Sequence, residues 1–516
     1  MTARCRFPRG LPAALPRGLA RGLPVGLPVG LLAAAIVGVA GCSVGPDYQR
    51  PGAPVPAAFK EAPPAGWKLG TPADAMDKGA WWVVYDDPLL DRLEREVNVS
   101  NQTLKEAEAA YREAAATVQV ARGSLFPTIS ATPGVSLENQ AGSFSSGGLV
   151  SGGSVASGRA GVRTNYSLEA NASWDVDVWG RVRRTVESDV AGAQASAADI
   201  ANARLSAQTA LATDFFELRS ADALQHLLDD TVAQYRRSLQ ITQNQYAAGV
   251  AARSDVITAQ TQLQTTQAQA INVGVARAQY EHAIAVLSGH PPADLTIAPG
   301  TLAAAVPVVP AAVPAALLER RPDIAAAERQ MAQENALIGV AIAAYYPDVS
   351  LTALYGYVGN PIGSLISASN KVWSIGGTAA ETVFDGGIRS GQVAQARATY
   401  DQSVATYRQT VLTAFQQVED ELSGLRILAD EARAEDAAVA SARQAVQIAL
   451  NEYRAGTQPY TTVITAQTTA LQDQESALTI QQNRLTASVA LIEALGGGWN
   501  TGLLPDPDKL RDTSLF

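Results

Sequence analysis

From residue 162 to residue 178 the chain alternates without a break. Val162, Thr164, Tyr166, Leu168, Ala170, Ala172, Trp174, Val176 and Val178 fall on one side, and Arg163, Asn165, Ser167, Glu169, Asn171, Ser173, Asp175 and Asp177 on the other. Such alternation puts successive side chains on opposite faces of a strand, and 17 residues exceed an ordinary globular strand. A weaker alternation at 128–137, with Ile129, Ala131, Pro133, Val135 and Leu137 on one side, predicts its partner across a Gly/Ser-rich loop at 141–161. Val349, Leu351, Ala353, Tyr355 and Tyr357 begin a second hairpin, which the loop 359–363 joins to a fourth strand near 372–384. The hairpins are expected at about 125–179 and 346–385. A long strand with one apolar and one charged face fits a barrel wall between lipid and water, with Tyr166, Leu168, Trp174 and Val176 toward lipid. A long strand of a soluble sheet is the other reading. Single-chain barrels start at about eight strands, so four would require two or more chains to share one, and spacing does not choose between two and three.

The period then changes from two to about 3.6. Residues 181–246 and 388–453 contain no proline and few glycines, and each is long enough for a helix of roughly 100 Å. Tyr400, Val404, Tyr407, Val411, Phe415, Val418, Leu422 and Leu425 recur in steps of three and four, a heptad seam with one stutter. Shorter helices at 252–288 and 460–495 follow, and further helical stretches lie at 89–123 and 314–344. The helices alone would also suit a coiled-coil rod.

The pattern occurs twice. Tyr246-Ala-Ala-Gly249 precedes Val-Ile-Thr-Ala-Gln-Thr at 256–261, and Tyr453-Arg-Ala-Gly456 precedes the identical six residues at 463–468, 207 positions on. Phe126-Pro127 and Tyr346-Pro347 match at an offset of 220, as do Glu108 and Glu328. The chain therefore reads as two copies of one unit, 89–290 and 314–495, joined by a Pro/Ala linker at 291–313 and followed by a tail at 496–516.

The first 41 residues stand apart. Five arginines precede an apolar run ending in Val39-Ala40-Gly41-Cys42, the form of a secretory signal cut before Cys42. A thiol at that point is the natural nucleophile for a diacylglycerol, and the amine freed by cleavage can take a third chain, which makes 42–88 a lipid-anchored extended segment. Loss of residues 1–41 takes away the five arginines and no acid, so the formal charge goes from −10 to −15. An acidic chain with 17% charged residues is a poor nucleic-acid binder. No run of 18 apolar residues follows Cys42, so a crossing of the membrane would have to be a β-barrel. His226, His282 and His290 lack metal-ligand spacing, and no phosphate loop or nucleophile elbow is present, so no enzyme is expected.

Taken in order, Cys42-Ser-Val-Gly-Pro-Asp-Tyr48, Trp81-Trp82 with Asp87-Pro88-Leu89-Leu90, Arg320-Arg321-Pro322-Asp323-Ile324, Phe384-Asp385-Gly386-Gly387 and Tyr453-Arg-Ala-Gly456 resemble the outer membrane efflux proteins, the TolC-like ducts, and among them the OprM/NodT-type lipoproteins. The resemblance implies an α+β membrane protein of duplicated units, each with long helices and a two-strand hairpin. Three chains would share a 12-stranded β-barrel in the bacterial outer membrane and a periplasmic 12-helix α-barrel. It implies N-acyl and S-diacylglycerol lipid on Cys42, no cofactor or metal, and a periplasmic adaptor and inner-membrane pump of the resistance–nodulation–division class as partners in small-molecule efflux. Tyr246, Gly249, Tyr453 and Gly456 would form periplasmic tips where the adaptor docks, glycine being suited to a helix reversal. Related ducts often carry acids after the second tip; this chain has Thr462 and Thr465 there, and Asp255 after the first tip is the nearest acid, so these three are the aperture candidates. A lipid-anchored coiled-coil scaffold without a pore and a type I protein-secretion duct are the alternatives.

Overall fold

The computed structural model describes residues 43–61, 80–139, 162–307 and 318–511. Cys42, the signal segment, the 141–161 loop and the final five residues of the tail lie outside the described residues.

Helix α1 (Pro88–Ser100) starts at Asp87, whose carboxylate accepts from the Leu89 and Leu90 amides at 2.8 and 3.1 Å. The expected single stretch at 89–123 is two helices, because Asn101 breaks it. Its side chain accepts from Leu104 N to cap helix α2 (Gln102–Gly123) and donates to Leu287 O at 2.8 Å. Strands β1 (Thr128–Asn139) and β2 (Val162–Asp175) follow, then the 67-residue helix α3 (Arg181–Ala247) and the return helix α4 (Arg253–Leu287). The second copy gives helix α5 (Pro322–Ala343), strands β3 (Asp348–Gly359) and β4 (Lys371–Ala380), the 67-residue α6 (Ile388–Arg454) and the return helix α7 (Tyr460–Ala494). Among the described residues no helix is long and apolar enough to cross a membrane.

The strands form one antiparallel sheet in the order β1-β2-β3-β4, so two hairpins joined side by side leave β1 and β4 as open edges. The helices pack chiefly as α3 with α4, α5 and α2, and as α6 with α7 and α5, while α7 also packs on α3. The main core lies where the two copies meet. Trp81, Leu90 and Leu93 pack there with Leu211, Phe215 and Phe216 of α3 and with Leu485 and Ile492 of α7. The seam on α6 contributes Tyr407, Val411, Val418, Leu422 and Leu425, each no more than 3% exposed.

Two extended segments are bolted across this core. Residues 43–61 form a strap. Arg184 of α3 donates to Val44 O and Asp47, Tyr48 donates to Glu328, Asn335 donates to Pro46 O, and Arg50 donates to the Tyr407 hydroxyl. Farther on, the Glu419 carboxylate accepts from the amides of Lys60 and Glu61, and Arg426 pairs with Glu61 at 2.8 Å. The linker is held by Asp222, which accepts from Arg219 (3.0 Å), Arg277 (2.7 Å) and Gly300 N (2.9 Å). Buried carboxylates are tolerated when so fully partnered.

Candidate functional site

The register sorts the sheet into two faces. Ile129, Ala131, Val135 and Leu137 of β1 lie opposite Ala172, Ala170, Tyr166 and Thr164 of β2. Leu168, Ala170, Ala172 and Trp174 in turn lie opposite Tyr357, Tyr355, Ala353 and Leu351 of β3, and Tyr355 and Ala353 face Trp373 and Ile375 of β4. The reverse face carries Arg163, Asn165, Ser167, Glu169, Asn171 and Asp175 on β2, with Thr128, Ser130, Thr132 and Ser136 on β1. None of the described residues covers the apolar face: Ile129 is 77% and Ile375 79% exposed. An apolar face this large is a binding surface for something apolar.

Aromatic residues mark both ends of that face. Near the helices, Trp174 donates its indole N–H to Leu125 O at 3.0 Å, and Trp179 stacks on Tyr346 at 4.7 Å while donating to Pro347 O. Toward the far end lie Tyr166, Tyr355, Tyr357 and Trp373. Two aromatic bands with an apolar band between them are the pattern of a barrel wall. Three of the four residues expected to face lipid, Tyr166, Leu168 and Trp174, fall on this face. Val176 does not extend it, because β2 ends at Asp175. Val176 N still donates to Val349 O, but the chain must then turn into α3. Asp177 makes the turn by accepting from the amides of Val182 and Arg183 and from the Arg183 guanidinium. Asp385 repeats the device at the head of α6, where the Arg389 guanidinium and the amides of Gly387 and Arg389 hold its carboxyl down to about 2.

At the other end of the long helices both reversals have the same backbone. Gly249 and Gly456 take φ of +76° and +74°, and each donates its amide to the tyrosine three residues back. The side chains differ. Tyr246 is 47% exposed, whereas Tyr453 is buried against Tyr460, with ring centroids 5.1 Å apart. Position 253, the counterpart of 460, holds an arginine, which offers the first tip no such partner. Gln245 Nε2 donates to Tyr453 O at 3.2 Å, tying the two tips together. Burial pushes the Tyr460 phenol up to about 12. Asp255 and Thr462 hold the same place in the first turn of α4 and α7, donating their amides to Ala252 O and Pro459 O. Both are half-buried, and the charge of Asp255 is felt by the Tyr453 and Tyr460 phenols, which places it toward the second tip. Thr465 is exposed, with its hydroxyl donating to Thr461 O.

The sequence had not flagged Gln245, Tyr460 or the pair Gln467–Ser238, which bonds α7 to α3 at 2.9 Å; only the mismatch of Arg253 with Tyr460 hinted at them. Nor had it flagged a groove of about 840 Å³ above the tips, walled by α3 and α6 and floored by α7. Arg237, Arg443 and Arg454 line it beside Gln234, Gln447 and Gln467. Among the described residues no group of His, Cys, Asp and Glu is arranged to hold a metal.

Comparison with known proteins agrees with this geometry. A family model described as "Outer membrane efflux protein" matches residues 94–290 and 313–497. The probable efflux pump outer membrane protein TtgC of Pseudomonas putida is 29% identical over 470 residues, covering 91% of this chain and 95% of that protein. The outer membrane protein OprJ of Pseudomonas aeruginosa is 27% identical over 464 residues, covering 89% of this chain and 94% of that protein. The solved outer-membrane channel OprN matches with a TM-score of 0.80 at 28% identity, over 89% of this chain and 100% of that one. The CmeC outer membrane channel of Campylobacter jejuni matches in fold, with a TM-score of 0.80 at 23% identity over 91% of this chain and 97% of that one.

Proposed function

The chain belongs to the outer membrane efflux protein family, and from that membership we propose how it is assembled and anchored and what it meets. It is the outer-membrane channel of a tripartite efflux system, a passive component and not an enzyme. In our reading three copies close one 12-stranded barrel by pairing the β4 edge of each chain with the β1 edge of the next. The apolar face then meets lipid and the Arg163–Asp175 face meets water. The long helices of the three chains form the periplasmic conduit, 12 helices around one lumen.

The observation that carries this reading is the four-stranded sheet itself. It has one continuous apolar face and two unpaired edges, and an open edge in lipid leaves several kcal/mol of unmet hydrogen bonding per group, so closure requires other copies. Cys42 carries the acyl chains. Ser43, the next residue, is fixed beside Trp179 and Gly180 at the helix end of the barrel, since Val44 N donates to Trp179 O at 3.1 Å. That position of Ser43 supports an anchor at the level of the lower aromatic band. The tips and the arginine-lined groove above them receive the periplasmic adaptor, and an inner-membrane pump of the resistance–nodulation–division class delivers the cargo, small organic molecules of the kind named for relatives that export antibiotics or toluene.

The test is planar-bilayer conductance of the purified, lipidated protein, with its oligomeric mass measured in parallel. Discrete openings from a trimer are expected. A monomer or dimer with little β signal and no conductance would reject the shared barrel.

A further inference from the structure

On the apolar face of the sheet the register sets side chains in rows that cross all the strands. Ile129, Ala172, Ala353 and Ile375 make one row. Ala131, Ala170, Tyr355 and Trp373 make the next, and Pro133, Leu168, Tyr357 and Lys371 the one after it, farther from the helices. Alanines therefore meet in mid-sheet with larger side chains around them. The relief is a slot of about 460 Å³, floored by Ala170, Ala172 and Ala353 and flanked by Ile129 on one side and by Trp373 and Ile375 on the other. Ligand clefts occupy about 300–1,000 Å³ and are lined mainly by apolar and aromatic side chains, with a few placed polar groups.

The placed polar group here is a cation. Lys371 opens β4 at the end of the sheet away from the helices, and it lines the slot. Among the described residues of the four strands it is the only charged side chain on the apolar face. A lysine that merely anchored a strand end would stretch away toward water. The Lys371 ammonium instead stands 5.0 Å from the ring centre of Tyr355, which belongs to the row nearer the helices. Lys371 and Ile375 are about 13 Å apart along the strand, so a cation and an apolar trough lie end to end. Pairing of β4 with β1 of another copy extends the sheet in its own plane and leaves this face uncovered.

We propose that the slot binds one membrane lipid with a phosphate-bearing head, an acyl chain lying along the alanine floor and the phosphate meeting the Lys371 ammonium. This rests on the reading above that the apolar face meets lipid. The cation commits the head to an anion, because a charge at the edge of hydrocarbon is costly without a partner. The chain as a whole is acidic, with 49 Asp and Glu against 39 Lys and Arg. Attraction for an anionic lipid is therefore local to Lys371 and not a property of the whole surface. Each chain holds one such lipid, distinct from the acyl chains on Cys42.

The experiment is native mass spectrometry of the full-length, lipidated oligomer in detergent, titrated with phosphatidylglycerol or with diacylglycerol of the same acyl chains. One spectrum reads both the mass of the oligomer and the lipids retained on it. The wild type should retain up to one phosphatidylglycerol per chain and hold it about fivefold more tightly than diacylglycerol, the weight of one lysine near a membrane surface. Lys371→Gln should lose that preference, and Lys371→Arg should keep it. Ala353→Leu fills the floor with an apolar side chain and leaves the charge, so it should weaken retention of both lipids. Equal retention of the two lipids by the wild type overturns the proposal. So does a preference that survives Lys371→Gln, or retention that Ala353→Leu leaves unchanged, in an oligomer of unaltered mass. A chain that forms no oligomer fails the shared-barrel reading itself, and this proposal with it.

Discussion

Replacing Ala170 with arginine tests the sheet faces most directly. Ala170 lies in mid-strand on the apolar face of β2, between Ala131 of β1 and Tyr355 of β3. An arginine on the lipid face costs about 2–4 kcal/mol at the bilayer midplane and about 0–1 near the interfaces. Since 1.4 kcal/mol is tenfold, that is roughly a 30- to 1,000-fold penalty per chain, incurred once by every chain that shares the proposed barrel. Two controls use the same strand. Asn171→Arg puts the charge on the opposite, polar face, which also carries Glu169 and Asp175. Val162→Arg puts it on the apolar face but at the outer end of β2, where a long side chain reaches water. The assay is the yield of heat-modifiable, SDS-resistant oligomer in the outer-membrane fraction. Ala170→Arg should abolish it, while the two controls should retain most of it. Undiminished oligomer from Ala170→Arg, or equal loss from Asn171→Arg, would refute the assignment of faces.

Cys42→Ser should remove the acyl chains, read as the loss of the lipid mass increment; acylated protein recovered from that variant would reject the anchor. Asp222→Ala leaves the Arg219 and Arg277 guanidiniums facing a buried gap and should destabilise the chain by about 3 kcal/mol, seen as a lower thermal midpoint; an unchanged midpoint would mean that the network holds nothing. Burial, helped by the charge of Glu217, raises Asp214 to about 6. Folding therefore favours its protonated form, so the contribution is full below the ordinary carboxylate range and is lost as pH rises through about 6. Asp214→Asn should flatten the fall in thermal midpoint between pH 4 and 7, and a slope identical to wild type would discount this residue.

Much of the architecture was legible because it repeats. The alternation along β2, the long proline-free helices and the doubled Tyr-x-Ala-Gly turns each report a local rule, and duplication let each copy check the other. What escaped were residues that local rules read two ways. Asn101 fits a helix interior by position but serves as a cap, and Asp177 continued the alternation past the strand's true end because a polar residue suits a strand's wet face and a helix start equally. The strap was invisible as a strap: Tyr48, Arg50 and Glu61 find partners 280 to 365 positions away, and no spacing rule reaches that far. At the tips the identical backbone was legible. The unequal burial of Tyr246 and Tyr453 was not, since it hangs on Arg253 standing where the second copy has Tyr460.

The two bolted segments also divide the long helices mechanically. Among the described bonds, every tie from strap or linker to α3 or α6 lies at or before Asp222 and Arg426, nearly the same level of the two copies. Beyond that level α3 and α6 are held only by other helices and by each other's tips. From Arg426 to Tyr453 is about 40 Å of helix, a lever clamped above by the strap and tied below only to neighbouring helices and the other tip. A tilt of about 10° at the clamp carries the tip sideways by roughly 7 Å over that length, while the sheet and the core above it stay still. The ties thus end at one collar while four helices run on past it, so a tilt of those helices below the collar would leave the sheet and the core in place.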